Sequence, residues 1–115
     1  MQKDLEISVK GQSLTCTLLG DIDHHVAGSV RRRIDAKITE IMPRRVVMDF
    51  SSVGLMDSSG FGLIIGRAAL CDKIGADVRI VGAKRIVRRI LAISGIERIN
   101  NVFVEDGLDT EELLK

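Results

Sequence analysis

The stretch RRVVMDFSSVGLMDSSGFGLIIGRAALCDKIG, residues 44–75, contains the patterns from which the fold is best predicted. Within residues 44–50 the apolar residues Val46, Val47 and Met48 are consecutive and do not alternate with polar ones, which is typical of a central strand that is covered on both faces. A segment rich in serine and glycine follows. Apolar residues then recur at helical spacing as far as Gly75, which we expect to cap the end of the helix. A strand, a loop and a helix in this order predict one unit of an α/β sheet.

The segment before this unit predicts a hairpin and a first helix. Apolar residues alternate with polar ones on both sides of Gly11, the period-two signature of two strands with one buried face; they are Leu5, Ile7, Val9, Leu14, Cys16 and Leu18. Residues 24–42 then carry apolar side chains at steps of three and four, which predicts an amphipathic helix. Asp23 is the expected N-cap, and Pro43 stops the helix.

The segment after Gly75 continues the alternation of strands and helices. Residues 77–81 and 101–104 read as strands, and residues 109–115 as a terminal helix turn. Between the two strands, residues 83–94 predict a helix that ends at Gly95; it has Ile86, Ile90 and Ile93 on one side. We therefore predict a single α/β domain over residues 1–115, with a mixed sheet of four to five strands and about four helices.

Composition excludes several functional classes. The 17 Lys and Arg residues nearly balance 16 Asp and Glu, so the net charge of +1 gives no electrostatic reason to expect a nucleic-acid or membrane-surface protein. Aromatic residues make up only 3% of the chain, too few for a platform that stacks bases. Since the N-terminus has no apolar signal core and no apolar run reaches the length of a membrane span, we expect a soluble cytoplasmic domain.

Neither the cysteines nor the histidines form a convincing metal or catalytic site. Cys16 and Cys71 lie far apart at no metal-ligand spacing, and we expect both to be buried free thiols. His24 and His25 are adjacent, so they cannot share one face of a helix or strand, and surface or capping positions at a helix start are the favoured interpretation. We therefore predict no metal.

The glycines and serines of residues 58–66 fit no known catalytic or cofactor motif. Gly60, Gly62 and Gly66 miss the dinucleotide fingerprint by one position, and no P-loop lysine is present. Neither Ser58 nor Ser59 has the flanking glycines of a nucleophile elbow. The sequence therefore predicts no catalytic residue and no cofactor.

Basic residues occur in two runs. Residues 31–33 are three consecutive arginines on the first helix, and Lys84, Arg85, Arg88 and Arg89 line the third. Because the net charge is close to zero, solvated helix faces are the default interpretation. A docking surface for an acidic partner remains the alternative.

Two interpretations remain open for the Asp57-Ser58-Ser59-Gly60 segment. Either serine could cap the following helix through its hydroxyl oxygen. Alternatively, a serine could accept a regulatory phosphate, because the helix start tolerates an anion. The helix that follows has two apolar stripes and a third stripe of small residues, more than the packing on one sheet requires, and this favours a recognition surface.

Three collinear motifs make the sequence similar to the STAS-domain family, and in it to the anti-sigma factor antagonists of sporulation. They are GDIDHH at residues 20–25, LMDSSGFGLIIGR at residues 55–67 and RRILAISGIERI at residues 88–99. The paired histidines are the most specific to the sporulation branch. Asp21 and Ile22 replace the glutamate and leucine that are usual in the first motif, and Phe61 stands where leucine is frequent.

The resemblance implies a regulatory protein and not an enzyme. Its partner would be an anti-sigma factor that is also a serine kinase with a bound ATP or ADP. The unphosphorylated antagonist would bind this partner and release the sigma factor, phosphorylation of Ser58 would inactivate the antagonist, and a serine phosphatase would restore it. The alternatives are a nucleotide-binding STAS domain and an antagonist of the general stress response. No direct contact with nucleic acid or membrane is expected.

The resemblance also implies a partner-binding surface built from the first two motifs. Asp23 belongs to it because the equivalent acid of the family lies near the acceptor loop. The expected contact residues are Asp23, His24, His25, Met56, Asp57, Ser58, Ser59, Gly60, Phe61, Gly62, Leu63 and Arg67.

Overall fold

The computed structural model describes residues 4–105, which form one five-stranded sheet with helices. The strands are β1 (Leu5–Lys10), β2 (Ser13–Leu18), β3 (Arg45–Asp49), β4 (Asp77–Val81) and β5 (Val102–Val104), and their order in the sheet follows their order in the chain. β1 and β2 are antiparallel, whereas β2, β3, β4 and β5 are parallel. The predicted α/β fold with a mixed sheet is confirmed.

The hairpin forms where the alternating pattern predicts it. Gly11 adopts a positive φ of 60° between the two strands, a conformation that glycine reaches without steric cost. The register pairs Ile7 with Cys16 and Leu5 with Leu18, so the apolar residues of both strands lie on the same face of the sheet.

Three helices connect the parallel strands: α1 (His24–Ile41), α2 (Ser58–Lys73) and α3 (Arg85–Ser94), followed by a short 3-10 turn at Ile96–Arg98. The side chain of Asp23 accepts a hydrogen bond from Val26 N at 2.8 Å, as expected of the N-cap of α1. At the end of α2 the chain turns through Gly75 with φ 73°, one residue later than the C-cap position. Gly95, also left-handed, caps α3 as predicted.

The sheet is covered on one face only, which corrects the prediction that the central strand is covered on both. Each parallel crossover advances in the same direction across the sheet, so right-handed connections place all three helices on one side. Along β3, Val46 and Met48 are fully buried, whereas Val47 and Asp49, which point to the other face, are only partly buried. Burial therefore alternates along β3 although its apolar residues are consecutive, and only the topology shows which face the helices cover.

On the helix-free face, charged side chains form ion pairs between neighbouring strands. The Arg45 guanidinium donates to both carboxylate oxygens of Asp77, at 2.9 and 3.3 Å, and lowers the pKa of Asp77. Arg79 pairs with Glu105 at 3.3 Å and lies 4.4 Å from the centre of the Phe103 ring. These polar and aromatic contacts cover the outer face of β3, β4 and β5 where no helix packs.

The isoleucine side of α3 does not form its packing face. Val87 and Leu91 are buried against the domain, whereas Ile86 is 52% and Ile93 81% exposed; Ile90 lies between, half-buried. The helix therefore packs through Val87 and Leu91, each of which directly follows an isoleucine of the predicted side.

The remaining structural predictions have mixed outcomes. Cys16 and Cys71 are free and buried, as predicted, and burial raises the pKa of these thiols to about 12 and about 11. The predicted terminal helix turn at residues 109–115 lies outside the described residues. In the part of the chain that the structure describes, no helix is both long and apolar enough to cross a bilayer.

The one-sided sheet predicts different costs for two neighbouring substitutions. Val46→Thr places a hydroxyl in the fully buried core without changing side-chain volume, and we expect it to lower the free energy of unfolding by about 1–3 kcal/mol. Val47→Thr on the helix-free face should change it by less than about 0.5 kcal/mol. Urea denaturation of the two variants measures the difference, and equal losses would contradict a sheet with one open face.

Candidate functional site

The loops that follow β2 and β3 are joined at one edge of the sheet. Because the two strands are parallel, both loops leave from the same edge, and Ile22 and Met56 form an isolated parallel bridge there. Ile22 N donates to Leu55 O at 3.1 Å, and Asp57 N donates to Ile22 O at 3.2 Å. This bridge brings the first residues of α1 and α2 together, and with them the first two sequence motifs.

Asp21 holds the second loop from the side. One of its carboxylate oxygens, Oδ1, accepts hydrogen bonds from the backbone N–H groups of Gly54 and Leu55, both at 3.0 Å. A Cβ on Gly54 would lie only 3.3 Å from the same oxygen, which explains the absence of a side chain there. The sequence motif contained Asp21, but nothing in its spacing indicated that it binds a loop more than 30 residues away.

Asp57, and not a serine, is the N-cap of α2. Its backbone is extended (φ −97°, ψ −168°) and its side chain accepts from Ser59 N at 2.8 Å, while Ser58 is already the first helical residue. The prediction that Ser58 or Ser59 caps the helix is therefore wrong. The hydrogen bonds from Ser59 lower the pKa of Asp57, with a smaller contribution from the nearby His24, so the carboxylate is ionised at neutral pH.

The two serines occupy different environments. Ser58 is exposed, and within residues 4–105 its hydroxyl makes no hydrogen bond. Ser59 is half-buried and lies against the Asp57 carboxylate, to which it contributes both its N–H and its hydroxyl. Only Ser58 therefore presents a free hydroxyl.

The predicted contact residues separate into an exposed and a buried group. The exposed group forms the surface at the start of α1 and α2: Asp23, His24, His25, Asp57, Ser58 and Gly62, with Ser59 and Phe61 half-buried beside them. The buried group lies beneath this surface: Met56, Gly60, Leu63 and Arg67. For these four, direct contact with a partner stays a prediction, and their burial places them where they shape the surface above them.

Gly60 and Met56 fit together without room for another atom. A Cβ on Gly60 would lie 2.6 Å from Met56 Sδ and 3.1 Å from its Cγ. Met56 is 6% exposed, and its backbone forms the bridge to Ile22. The close approach in the first turn of α2 therefore fixes the loop just before Ser58.

Arg67 ties α2 to α1 from inside the domain. Its residue surface is 5% exposed, its Nε lies 2.7 Å from Asp35 Oδ1, and its Nη2 donates to Asp35 Oδ2 at 3.3 Å. A third contact runs from Nη1 to Leu63 O at 3.3 Å. Burial lowers the pKa of Arg67, and the Asp35 carboxylate opposes this shift. The pair fixes the spacing of the two helices below the surface.

A groove of about 330 Å³ lies between the N-terminal halves of the two helices. His24, Ala27, Gly28 and Arg31 of α1 form one wall, and Ser59, Gly62 and Leu63 of α2 form the other. Sequence reasoning selected four of these seven residues and missed Ala27, Gly28 and Arg31. Their shared spacing with His24, at steps of three and four along one helix face, was the available signal.

The described residues contain no group of three His, Cys, Asp or Glu side chains that could hold a metal ion. The site combines two carboxylates that cap helices, the exposed hydroxyl of Ser58 and a groove lined by His24 and Arg31.

Comparison with known proteins gives this geometry a context. Residues 4–106 match the family model of the STAS domain. The chain is 29% identical over 103 residues to the anti-sigma F factor antagonist of Paenibacillus polymyxa, covering 90% of this chain and 88% of that protein.

Two solved structures share the fold. They are the anti-sigma factor antagonist SpoIIAA in its unphosphorylated form (TM-score 0.76) and SpoIIAA of Bacillus in its phosphorylated form (TM-score 0.69). Each is 20% identical to this chain and covers 96% of it; the match covers 95% and 99% of those chains. The comparisons confirm the predicted STAS fold and the resemblance to the antagonists, which are regulators and not enzymes. The predicted domain limits, 1–115, stay a prediction.

The Asp35–Arg67 pair predicts an asymmetric response to mutation. Asp35→Ala leaves a guanidinium without its counter-charge inside the domain, and we expect a loss of about 3 kcal/mol in the free energy of unfolding. Arg67→Met should cost less, because the Asp35 side chain that remains is 35% exposed and can be hydrated. Glu40→Ala, which removes an exposed pair with Lys37, is the control and should cost less than about 1 kcal/mol in urea denaturation. A larger loss for Arg67→Met than for Asp35→Ala would contradict this account.

Two glycines in the first turns of α2 should respond oppositely to alanine. Gly62→Ala meets no atom within 4 Å and gains helix propensity, so it should stabilise the protein by up to about 1 kcal/mol. Gly60→Ala has the same gain but displaces Met56, at a cost of roughly 1–3 kcal/mol. Thermal unfolding of the pair should therefore rank Gly62→Ala above Gly60→Ala, and the reverse order would show that the Met56 contact is not restrictive.

Proposed function

We propose a phosphorylation-controlled partner switch for this chain, which belongs to the STAS-domain family and, within it, to the anti-sigma factor antagonists. In its unphosphorylated form the protein binds an anti-sigma factor that is also a serine kinase and thereby frees a sporulation sigma factor. Phosphorylation of Ser58 by that kinase ends the interaction, and a serine phosphatase restores it. The exchange takes place in the cytoplasm.

The free hydroxyl of Ser58 is the observation that carries this proposal. Ser58 is exposed at the surface and takes no part in capping α2, because Asp57 fills that position. A kinase can therefore reach the hydroxyl without breaking a hydrogen bond among the described residues. Ser59, half-buried and engaged with Asp57, offers no comparable acceptor.

The domain tolerates a phosphate at this position. Ser58 is the first residue of a 16-residue helix, where the positive end of the helix dipole favours an anion. The substitution of a phosphate for a hydroxyl adds about −1.5 to −2 charges at neutral pH. Fold and stability therefore change little while the surface charge changes strongly.

The added charge acts on the surface that a partner would cover. The ionised Asp57 carboxylate is adjacent, so a phosphate on Ser58 gathers at least two negative groups at one point. Such charges are costly to desolvate in an interface and repel any acidic group of the partner. The proposed contact surface is the exposed group defined above: Asp23, His24, His25, Asp57, Ser58, Gly62, Ser59 and Phe61.

The assignment to sporulation rests on the paired His24 and His25 and on the 29% identity to an anti-sigma F factor antagonist. Both histidines are exposed at the start of α1, next to the Ser58 loop. They are therefore placed where they could distinguish one anti-sigma factor from another.

Incubation with the kinase and ATP, followed by mapping of the modified residue by mass spectrometry, tests the switch directly. We expect the label on Ser58. Ser58→Ala should bind the kinase normally and remain unlabelled, whereas Ser58→Asp should bind at least about tenfold more weakly and unfold within a few degrees of the parent protein. Ser8→Asp, on β1 away from the site, is the matched charge control and should bind normally. Labelling of Ser59, or no label from an active kinase that binds, would refute the proposal.

A further inference from the structure

The groove between α1 and α2 has a volume of about 330 Å³ and is lined by the basic side chains of His24 and Arg31. We propose that this groove binds an acidic side chain of the anti-sigma factor and so anchors the partner beside Ser58. This inference rests on the proposed function, from which the identity of the partner is taken.

The groove exists because its walls are built from small residues. Ala27 and Gly28 on α1 face Gly62 on α2, and about 330 Å³ of space remains between the helices. A Cβ on Gly62 would have no atom within 4 Å, so the groove is open at this position. A volume of this size, at the small end of ligand pockets, accommodates a single side chain of a partner.

In the described part of the chain, the groove is lined by basic side chains and by no acidic one. His24 and Arg31 line it, and the guanidinium of Arg32 lies 3.8 Å from the Cβ position of Gly28. Within residues 4–105, Arg31 makes no ion pair or hydrogen bond. For the arginine run at residues 31–33, the sequence left two interpretations open, a solvated face and a docking surface. The structure places one of these arginines, Arg31, in the groove.

The nearby carboxylates are committed elsewhere. Asp23 accepts the N–H of Val26 in α1, and Asp57 accepts the N–H of Ser59 in α2. Asp35 is paired with Arg67 one turn below the groove. None of these three is free to neutralise Arg31. Arg31 in turn lowers the pKa of Arg67 by charge repulsion, next to the larger effect of burial. A carboxylate brought by a partner would satisfy Arg31 and relieve this repulsion.

The position of the groove also explains how phosphorylation would release the partner. Ser59 forms part of its wall, and Ser58 is the adjacent residue. A phosphate on Ser58 would compete with the partner's carboxylate for His24 and Arg31, as well as repel it. The same basic groups would thus bind the partner in one state and the phosphate in the other.

Filling the groove is the sharpest test, because α2 offers a matched pair of glycines. Gly62→Leu places a side chain in the groove, whereas Gly66→Leu places one a turn further along the same helix, outside the groove; neither Cβ has an atom within 4 Å. We expect calorimetric titration with the nucleotide-bound kinase to show at least about a tenfold loss for Gly62→Leu and less than about a twofold change for Gly66→Leu. Circular dichroism and thermal unfolding confirm that both variants fold.

Charge reversal identifies the group that enters. Arg31→Glu should weaken binding at least about tenfold and reduce its salt dependence, whereas Arg33→Glu, an exposed arginine outside the groove, should not. A scan that replaces the acidic surface residues of the kinase by lysine, one at a time, should find one that restores binding to Arg31→Glu.

The outcomes separate the two proposals. If the wild-type chain binds the kinase and Gly62→Leu binds equally well, or if Arg31→Glu and Arg33→Glu behave alike, the groove proposal fails and the switch at Ser58 stands. If the wild-type chain does not bind the kinase, both fail. Saturable binding of ATP or GTP to this chain alone, lost in Gly62→Leu, would assign the groove to a nucleotide and overturn the proposal.

Discussion

The parallel bridge between Ile22 and Met56 is the contact on which the whole site depends. It joins the loops after two neighbouring strands, and it determines where α1 and α2 begin. Two backbone hydrogen bonds, Ile22 N to Leu55 O and Asp57 N to Ile22 O, extend the sheet by one residue pair beyond its edge. The bridge can form only because the strands are parallel and in this register, so the proposed binding surface depends on the topology.

Three aspartates around this bridge all bind backbone N–H groups. Asp21 holds the second loop, while Asp23 and Asp57 cap the two helices. Each carboxylate thus satisfies backbone N–H groups that would otherwise lack a partner in the protein. As a result, the Ser58 hydroxyl is not needed to cap α2. Within the residues that the structure describes, the groove beside Arg31 is also lined by no carboxylate. The local fold and the electrostatics of the surface are two effects of the same arrangement.

The sequence predicted the elements well and their surroundings less well. The hairpin, the ends of α1 at Asp23 and Pro43, and the end of α3 at Gly95 followed from local chemistry, since caps and turns depend on residues close in the chain. The one-sided burial of β3 did not, because Val46 and Val47 are equally apolar and only the direction of the crossovers decides which of them a helix covers. The prediction of a serine cap failed for a related reason: Asp57 and Ser58 are both good caps, and the bridge at Met56 decides which residue has the extended backbone.

A phosphate on Ser58 would change the charge of this surface, and it would not need a conformational change of the domain to do so. The cap, the bridge and the Gly60–Met56 contact are all independent of the Ser58 hydroxyl. Among the described residues, a new anion would act on the ionisable groups near it: it would repel the Asp57 carboxylate and attract the basic side chains of the groove. The two states of such a switch differ in charge and hydration rather than in shape. The loss of partner affinity on phosphorylation is then set by how much of the binding free energy comes from the basic side chains of the groove.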